Sequence, residues 1–256
     1  MGYSPNQKGY TAVPDAPTRG PRARTWRLLM EAANSLIDEG RTPTVAEVAN
    51  RAQVSRATAY RYFPTRSRLI TAVVDAALGP VRSWSSQKRD GRERITELFE
   101  STFIRFKEFE PHMRAAAQLA LEHQALERAG LLEEEPYRRG HRIRILAHAV
   151  EPFAASVPDK AVNRLQRALS ILYGIEPHII LKDIWGAKNK EVESIVFWMV
   201  GALIDATLKE SRPARTARSA GNGTAGTATR NRKAGASAGT GGGRKHGSAG
   251  SPSTHM

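Results

Sequence analysis

The hydrophobic pattern of the first third of the chain predicts four short helices. Apolar residues of the first helix share one face at i, i+3, i+4, i+7, i+10 and i+11: Trp26, Leu29, Met30, Ala33, Leu36 and Ile37. Thr44 and Glu47 form a capping box at the start of the second helix, Ser55 caps the third and Thr65 the fourth. A turn of about four residues separates the second and third helices, as in a helix-turn-helix motif. Residues 22–84 are predicted to form this domain.

Residues 85–210 keep a helical pattern and lack the alternation of a β-strand, so the fold class predicted is all-α. The last helix is apolar around more than one face and needs burial on two sides. Its own bundle can cover one side, and a second copy of the chain can cover the other. Gly174 and Pro177 are predicted to kink or divide the fourth of five segments, which lie near residues 92–109, 111–129, 137–155, 159–185 and 189–210.

The two ends of the chain differ in composition from the helical part. Residues 1–21 are rich in Pro and Gly and residues 211–256 in Ala, Gly, Ser and Thr, so both ends are predicted to be disordered. The N-terminus lacks an apolar signal segment, and the apolar run 195–204 is half of the ~20 residues that span a bilayer. The chain has no cysteine, which fits a reducing compartment. We therefore expect a cytoplasmic protein that does not engage a membrane.

The net charge of +14 is confined to the two ends of the chain. Residues 1–70 hold 11 Lys and Arg against 5 Asp and Glu, residues 71–210 hold 20 of each kind, and residues 211–256 hold 8 basic and no acidic residues. This distribution predicts that the ends meet a polyanion while the middle has another role.

The segment VSRATAYRYF, Val54–Phe63, crowds basic and aromatic side chains into one short helix. The first turn of such a helix enters the major groove, where the guanidinium of Arg56 suits guanine and the methyl groups of Ala57 and Thr58 suit thymine. Hydroxyl and guanidinium groups one turn later suit phosphate oxygens. The residues predicted to contact DNA from this helix are Ser55, Arg56, Ala57, Thr58, Tyr60 and Arg61.

The block TVAEVANRAQVSRATAYRYFPTRSRLI, Thr44–Ile70, resembles the DNA-binding domain of the TetR family of transcriptional regulators. The resemblance is carried by the capped Val/Ala helix, the Val-Ser turn, the Thr-x-Tyr pair, the aromatic-Phe-Pro end and the basic-x-x-Leu continuation. Gln53 stands where the family usually has glycine, at a backbone cost of about 1 kcal/mol, and Ala59 replaces a larger aliphatic residue. The resemblance implies phosphate contacts from Thr44, Tyr60 and Arg66, and base contacts from Arg56, Ala57 and Thr58 with Ala46 nearby.

The resemblance also implies an overall function. A helical bundle over residues 85–210 would bind a small molecule and pair with a second subunit, and the dimer would be a repressor that this molecule releases from a palindromic operator. Aromatic walls with a few polar groups suggest a ligand site built from Phe103, His123, Arg144, His148 and Tyr173. The residues predicted at the dimer interface are Ile180, Ile184, Val192, Ile195, Val196, Met199, Val200, Leu203 and Thr207.

Two other function classes stay open at this stage. The basic ends also suit an architectural, nucleoid-type DNA binder of little sequence preference, whose affinity would depend steeply on salt and would fall on removal of residues 211–256. An enzyme with a DNA-binding appendage is disfavoured, because the sequence has no phosphate-binding loop, nucleophile elbow or interpretable carboxylate pair. His141 and His148 lie two helical turns apart, about 10 Å, too far to share a metal ion. No enzymatic activity, cofactor or metal is predicted.

Overall fold

The computed structural model of the chain describes residues 16–139 and 141–211. The predicted arm up to residue 15 and the predicted tail from residue 212 lie outside the described residues. All helices of the first part follow the predicted positions, which confirms the all-α class and the helix-turn-helix: α1 Gly20–Asp38, α2 Val45–Arg51, α3 Arg56–Tyr62 and α4 Arg66–Leu78.

The starts of α2, α3 and α4 are fixed by the three predicted capping residues. The Thr44 hydroxyl accepts the amide N–H of Glu47 at 3.2 Å, while the Glu47 carboxylate accepts the amide N–H of Thr44 at 2.7 Å. Ser55 and Thr65 each accept one amide N–H at 3.1 Å, from Thr58 and Arg68 respectively. These caps satisfy donors that the first turn of a helix otherwise leaves without partners.

The second part of the chain forms the remaining helices. The predicted segment 159–185 is divided near Gly174 and Pro177, as expected, and part of it forms a π-helix, Ile179–Ile184. The predicted helix 137–155 begins only at His141. The elements are α5 Gly91–Glu108, α6 Glu110–Ala129, α7 His141–Val150, α8 Asp159–Leu172, α9 Glu176–His178, and α10 Asn189–Ser211, with 3₁₀ turns Gly79–Ser83 and Glu151–Ala155. No helix in the described part of the chain is long and apolar enough to cross a membrane.

Two clusters of buried side chains form the interior, and α6 belongs to the first of them. That cluster joins the apolar faces of α1 to α4 with Met113, Ala116 and Leu119 of α6. The second cluster is formed mainly by α5, α7, α8 and α10. Full burial of a Leu or Met side chain contributes about 1.5–3 kcal/mol, so α6 is a substantial part of the support of the helix-turn-helix. The predicted division at residue 84 stays a prediction, because apolar packing continues across it.

The buried face of α10 differs from the prediction for the dimer interface. Val192, Val196, Val200 and Thr207 are almost completely buried within their own chain. They recur near every fourth residue and therefore share the face that packs on the second cluster. These four residues pack inside their own chain in this arrangement, so we leave them out of the proposed interface.

The turn between α2 and α3 places Gln53 in the left-handed region, with φ of 54°. The amide of Val54 donates to the Ala49 carbonyl at 3.0 Å and that of Gln53 to the Asn50 carbonyl at 3.2 Å, the two bonds of a Schellman helix end. Gly40 and Gly130 close α1 and α6 with the same bonds and φ of 81° and 69°. The chain thus uses this motif with and without the glycine that usually occupies it.

Replacing Gln53 by glycine is expected to raise the free energy of unfolding by about 1 kcal/mol, because a side chain is disfavoured in the left-handed region. The reciprocal variant Gly130→Gln should lower it by a similar amount, since a Cβ at Gly130 meets no heavy atom within 4 Å and only backbone strain is added. Chemical denaturation of both variants measures the two values. A Gln53→Gly variant that is no more stable than the wild type would contradict the expectation.

Candidate nucleic-acid interface

Helix α3 is anchored on one face by a small aromatic core. Ala59 and Phe63 are fully buried, and the ring of Trp26 lies 4.7 Å from that of Phe63. The Tyr62 hydroxyl donates to the backbone carbonyl of Arg22 at 3.2 Å. These contacts fix the rotation of α3 about its axis, and so decide which side chains face outward.

The outward face of α3 carries the side chains that the sequence assigned to DNA. Arg56, Ala57, Tyr60 and Arg61 are exposed, and Thr58 is half-buried. The Thr58 hydroxyl lies 2.9 Å from that of Ser55 and 3.4 Å from Nη2 of Arg61. The first turn is therefore ordered by its own hydrogen bonds, while the side chains predicted to read bases stay accessible.

Some of the arginines in and around α3 form ion pairs within the described part of the chain, and others do not. The sequence from residue 48 to residue 74 contains no acidic residue and five arginines. Three of these form ion pairs with carboxylates from elsewhere in the chain: Arg51 with Glu39 at 2.6 Å, Arg66 with Glu122 at 2.9 Å and Arg68 with Glu135 at 3.1 Å. Within residues 16–139 and 141–211, Arg56 and Arg61 have no carboxylate at ion-pair distance. The unneutralised positive charge of this segment is thus concentrated on the outward face of α3.

The start of α2 supplies a second edge to this surface. Thr44 is exposed, and Ala46 is half-buried. The pKa of Glu47 is lowered, chiefly by the hydrogen bond from the Thr44 backbone and further by the Thr44 hydroxyl and by Arg41. The capping box therefore stays ionised and closed at neutral pH, and it holds Thr44 in place beside the turn.

Arg66, which the resemblance assigned to phosphate, does not lie on the outward surface. Its Nη1 donates to both carboxylate oxygens of Glu122 at 2.9 Å, its Nη2 donates to the Thr42 carbonyl at 2.6 Å, and its side chain is 18% exposed. The carboxylate of α6 and the carbonyl before α2 hold the guanidinium inside the chain. Arg66 thereby links α4 to α6, and we leave it out of the proposed DNA contacts.

His123, predicted to bind a ligand, lies in a polar cluster between α6, α4 and the connection that follows α6. Its Nδ1 accepts the Tyr137 amide N–H at 3.1 Å, so the ring proton lies on Nε2, 3.1 Å from the Glu134 carboxylate. The other oxygen of Glu134 accepts the Arg66 amide N–H at 2.8 Å, and the Ser67 hydroxyl donates to the Glu135 carbonyl at 2.7 Å. The connection is therefore bonded to the N-terminus of α4.

The other predicted ligand residues are scattered. Phe103 packs among aromatic rings, 5.3 Å from His178 and 5.7 Å from Phe197. Arg144 is exposed, and His148 accepts the Ser86 amide N–H at 3.2 Å beside Trp84. Of the five residues, Tyr173 lines the cavity beneath α4. The structure does not bring the predicted set together.

Sequence reasoning missed the residues that line that cavity with Tyr173. Thr71, Arg139 and Arg142 supply polar groups to its wall. Thr71 interrupts the apolar stripe of α4, and the two arginines belong to the run RRGHR. A polar residue at a core position of α4 was the signal that could have pointed to this site.

His178 is the buried histidine with the clearest expected effect on stability. It is 1% exposed, and neither of its ring nitrogens makes a well-formed hydrogen bond within residues 16–139 and 141–211, although the Gly174 backbone interacts weakly with the ring. Burial lowers its pKa, although Glu110 acts in the opposite direction. An unfolded chain binds a proton at this residue near pH 6.5, while the folded chain resists it. The contribution of neutral His178 to the free energy of unfolding is therefore fully present above about pH 6.5, and it is lost as the pH falls below that value.

The variant His178→Leu is expected to be more stable than the wild type by about 1 kcal/mol at pH 7, because two buried nitrogens that lack a well-formed hydrogen bond are removed. Its melting temperature should also fall less between pH 7 and pH 5. The fall is reduced and not abolished, since burial lowers the pKa of His112 too. Ion-paired carboxylates such as Glu176 affect stability only below about pH 4.5. An unchanged slope between pH 7 and pH 5 would exclude His178 as its source.

Comparison with known proteins agrees with this geometry. Residues 28–73 match the family model described as bacterial regulatory proteins, tetR family. The matched range runs from α1 into α4 and contains the whole helix-turn-helix. Neither the curated proteins nor the solved structures gave a significant match. The match and the exposed arginines of α3 lead to one conclusion: the chain carries the helix-turn-helix domain of TetR-family transcription regulators, which bind DNA.

Proposed function

We propose that the chain acts as a homodimer that reads a palindromic operator, represses transcription there and is released by a small molecule. The observation that carries the proposal is the exposure of Arg56 and Arg61 on the outward face of a helix whose other face is fully packed. Neither has a carboxylate partner in the part of the chain that the structure describes. The neighbouring residues Arg51, Arg66 and Arg68 form ion pairs with carboxylates of the same chain.

Each outward side chain is given a role by its chemistry. The Arg56 guanidinium reads a guanine, and the methyl groups of Ala57 and Thr58 meet thymine. Thr44, Tyr60 and Arg61 donate to phosphate oxygens and set the position of the helix on the duplex. Ser55 keeps the first turn in shape, and Ala46 lies beside it at the edge of α2.

The dimer is supported by an apolar face that residues 16–139 and 141–211 leave uncovered. Residues 195, 198, 199, 202 and 206 share the side of α10 opposite its buried face. Trp198 is 74% exposed, and Trp185, just after the π-helix, is 77% exposed. We assign this face to a second copy of the chain, since the seven residues of α3 reach only one half-site. From the residues predicted for the interface we keep Ile180, Ile184, Ile195 and Met199, and we leave out Leu203, which packs partly on the second cluster.

A twofold dimer presents two α3 helices to successive major grooves, about 34–36 Å apart on the same side of the duplex. A small molecule that binds more tightly to a form with another spacing lowers operator affinity, with a coupling of about 1–3 kcal/mol. Hydrogen bonds join the start of α4 to α6 and to the connection that follows α6. They support this linkage, because α4 directly follows the helix-turn-helix and also lines the cavity.

Selection of bound sequences from a random pool of duplex DNA, with the full chain at physiological salt, tests the proposal. We expect one palindromic motif whose half-sites are about one helical turn apart. A pool without any motif would reject sequence-specific regulation.

An architectural DNA binder is the second candidate, and it is favoured by the eight basic and zero acidic residues of residues 211–256. That function requires binding with little sequence preference and an affinity that falls steeply with salt. Comparison of the full chain with a chain ending at residue 211 separates the candidates. Operator preference retained in the shorter chain supports the regulator, and loss of most affinity for every sequence supports the architectural role.

A further inference from the structure

A cavity of about 90 Å³ lies between α4 and the helices behind it. Its walls are mostly apolar and come from α4, α5, α6, the first turn of α7 and the segments just before α7 and after α8. The side chains that form its interior are buried, and include Val74, Phe106, Met113, Tyr173 and Ile175. The cavity is thus a desolvated space with one wall on a helix of the DNA-binding part.

Thr71 of α4 leaves a polar atom in this apolar space. The residue is 3% exposed and lines the cavity, and its Oγ1 has no hydrogen-bond partner among the described residues. An unsatisfied buried hydroxyl costs about 1–3 kcal/mol. A bound molecule with a suitable polar group would remove that cost.

The rim of the cavity carries an excess of positive charge. Arg139 and Arg142 line it, and both are ion-paired with the same carboxylate, Glu176, at 3.1 Å and 3.0 Å. Arg142 also donates to the Ser170 carbonyl at 2.9 Å. Burial alone would raise the pKa of Glu176, but Arg142 and Arg139 bring it below its usual value, so one negative charge faces two positive ones.

Hydrogen bonds within the described residues engage only part of the two guanidinium groups that line the cavity. A guanidinium carries five N–H donors, and the bonds to Ser170 and Glu176 engage Nη1 and Nη2 of Arg142 and Nη1 of Arg139. A carboxylate accepts from such planar donors more strongly than a neutral group does. The rim therefore favours an anion over a neutral molecule of the same shape.

We propose that this cavity binds a small organic anion with an apolar body, whose charged group meets Arg139 and Arg142 and whose second polar group meets the Thr71 hydroxyl. The binding itself follows from the cavity, whereas its effect on operator affinity rests on the function proposed above. Thr71, Val74 and Leu78 lie on one face of α4, so the molecule would contact directly the helix that completes the DNA-binding part.

Benzoate and benzamide form a matched pair of probes, because they share a ring and differ in charge. We expect the full chain to bind benzoate at least ten times more tightly than benzamide, and acetate without saturation. Binding is followed by NMR of ¹³C-labelled methionine methyl groups, since Met113 lines the cavity and Met199 lies on α10. The Met113 signal should shift with benzoate and that of Met199 should not.

Two variants should change benzoate binding in opposite directions. Arg139→Gln leaves Glu176 paired with Arg142 alone, and benzoate should lose its advantage over benzamide. Glu176→Gln leaves both arginines without a carboxylate, and benzoate should bind several times more tightly. Arg167→Gln, on the exposed side of α8, is the control and should change neither probe.

Equal binding of benzoate and benzamide, or a benzoate preference that survives Arg139→Gln, would overturn the proposal. Binding of acetate as tightly as benzoate would mean an adventitious anion site only. The Thr71 contact is tested with 3- and 4-hydroxybenzoate: one should bind more tightly than benzoate, and Thr71→Val should remove the gain. If both bind no better than benzoate, Thr71 is excluded from the site.

Operator affinity is measured in parallel, so that the two proposals fail in different ways. Benzoate binding at Met113 with unchanged operator affinity establishes the anion site and contradicts release by an effector. Absence of a benzoate preference rejects the anion site, whatever sequence the protein selects from the DNA pool.

Discussion

Trp198→Glu is expected to convert the protein from a dimer to a monomer. The side chain is 74% exposed on a folded α10, so the charge is tolerated in the single chain but must be desolvated when two copies meet. Loss of a central tryptophan contact together with that penalty should weaken association by about 3 kcal/mol or more, which is over about a hundredfold. Sedimentation equilibrium over a range of protein concentrations gives the two dissociation constants.

Leu121→Glu is the matched control for that variant. Leu121 is 63% exposed on α6, so the substitution adds the same charge to an exposed apolar position off α10. It should leave the dimer intact, and the helical circular dichroism of both variants should equal that of the wild type. A Trp198→Glu protein that sediments as the wild-type dimer would place the interface on another face.

Arg56→Ala is expected to cost about 1–3 kcal/mol on the selected operator and to relax the preference at one base position. The residue is exposed and has no carboxylate partner in the described part of the chain, so the change should leave folding stability nearly unaltered. Competition titrations against operators changed one base pair at a time, at a single salt concentration, measure both the loss and the position.

Two further arginine variants serve as comparisons for Arg56→Ala. Arg61→Ala should weaken binding to all sequences alike and lower the salt slope by about 1, as expected for a phosphate contact. Arg51→Ala removes an arginine that is paired with Glu39, and base preference should stay unchanged. If Arg56→Ala weakens every operator variant equally, Arg56 contacts the backbone and does not read a base.

Local signals made the helix-turn-helix predictable from the sequence. Thr44, Ser55 and Thr65 each act within three residues of their own position, so the starts of α2, α3 and α4 needed no knowledge of the rest of the fold. The strained turn at Gln53 was predicted from the resemblance, because Gln53 stands where the family usually has glycine; a glutamine alone gives no signal for a positive φ.

Residues whose position depends on distant partners were not predictable in this way. Arg66 is held by Glu122, 56 residues further along the chain, and nothing in its own neighbourhood indicates that carboxylate. The periodicity of α10 defines two apolar faces but not which one the bundle covers. Val196, which is buried, was therefore predicted at the interface, and Trp198, which is exposed, was not. The cavity was not predictable for the same reason, because Thr71 and Arg142 line one space only after α4 has packed against the bundle.

The shared core of α1 to α4 with α6 limits how the chain can be dissected or recombined. A fragment that ends at residue 84 would leave bare the apolar surface that Met113, Ala116 and Leu119 cover. It would also remove Glu134 from the first amide of α4. A chimeric regulator that borrows this operator specificity therefore has to take α6 and residues 130–137 along with the helix-turn-helix. The unit that can be transferred is therefore formed by two separate segments of the chain, and it is larger than the helix-turn-helix motif alone.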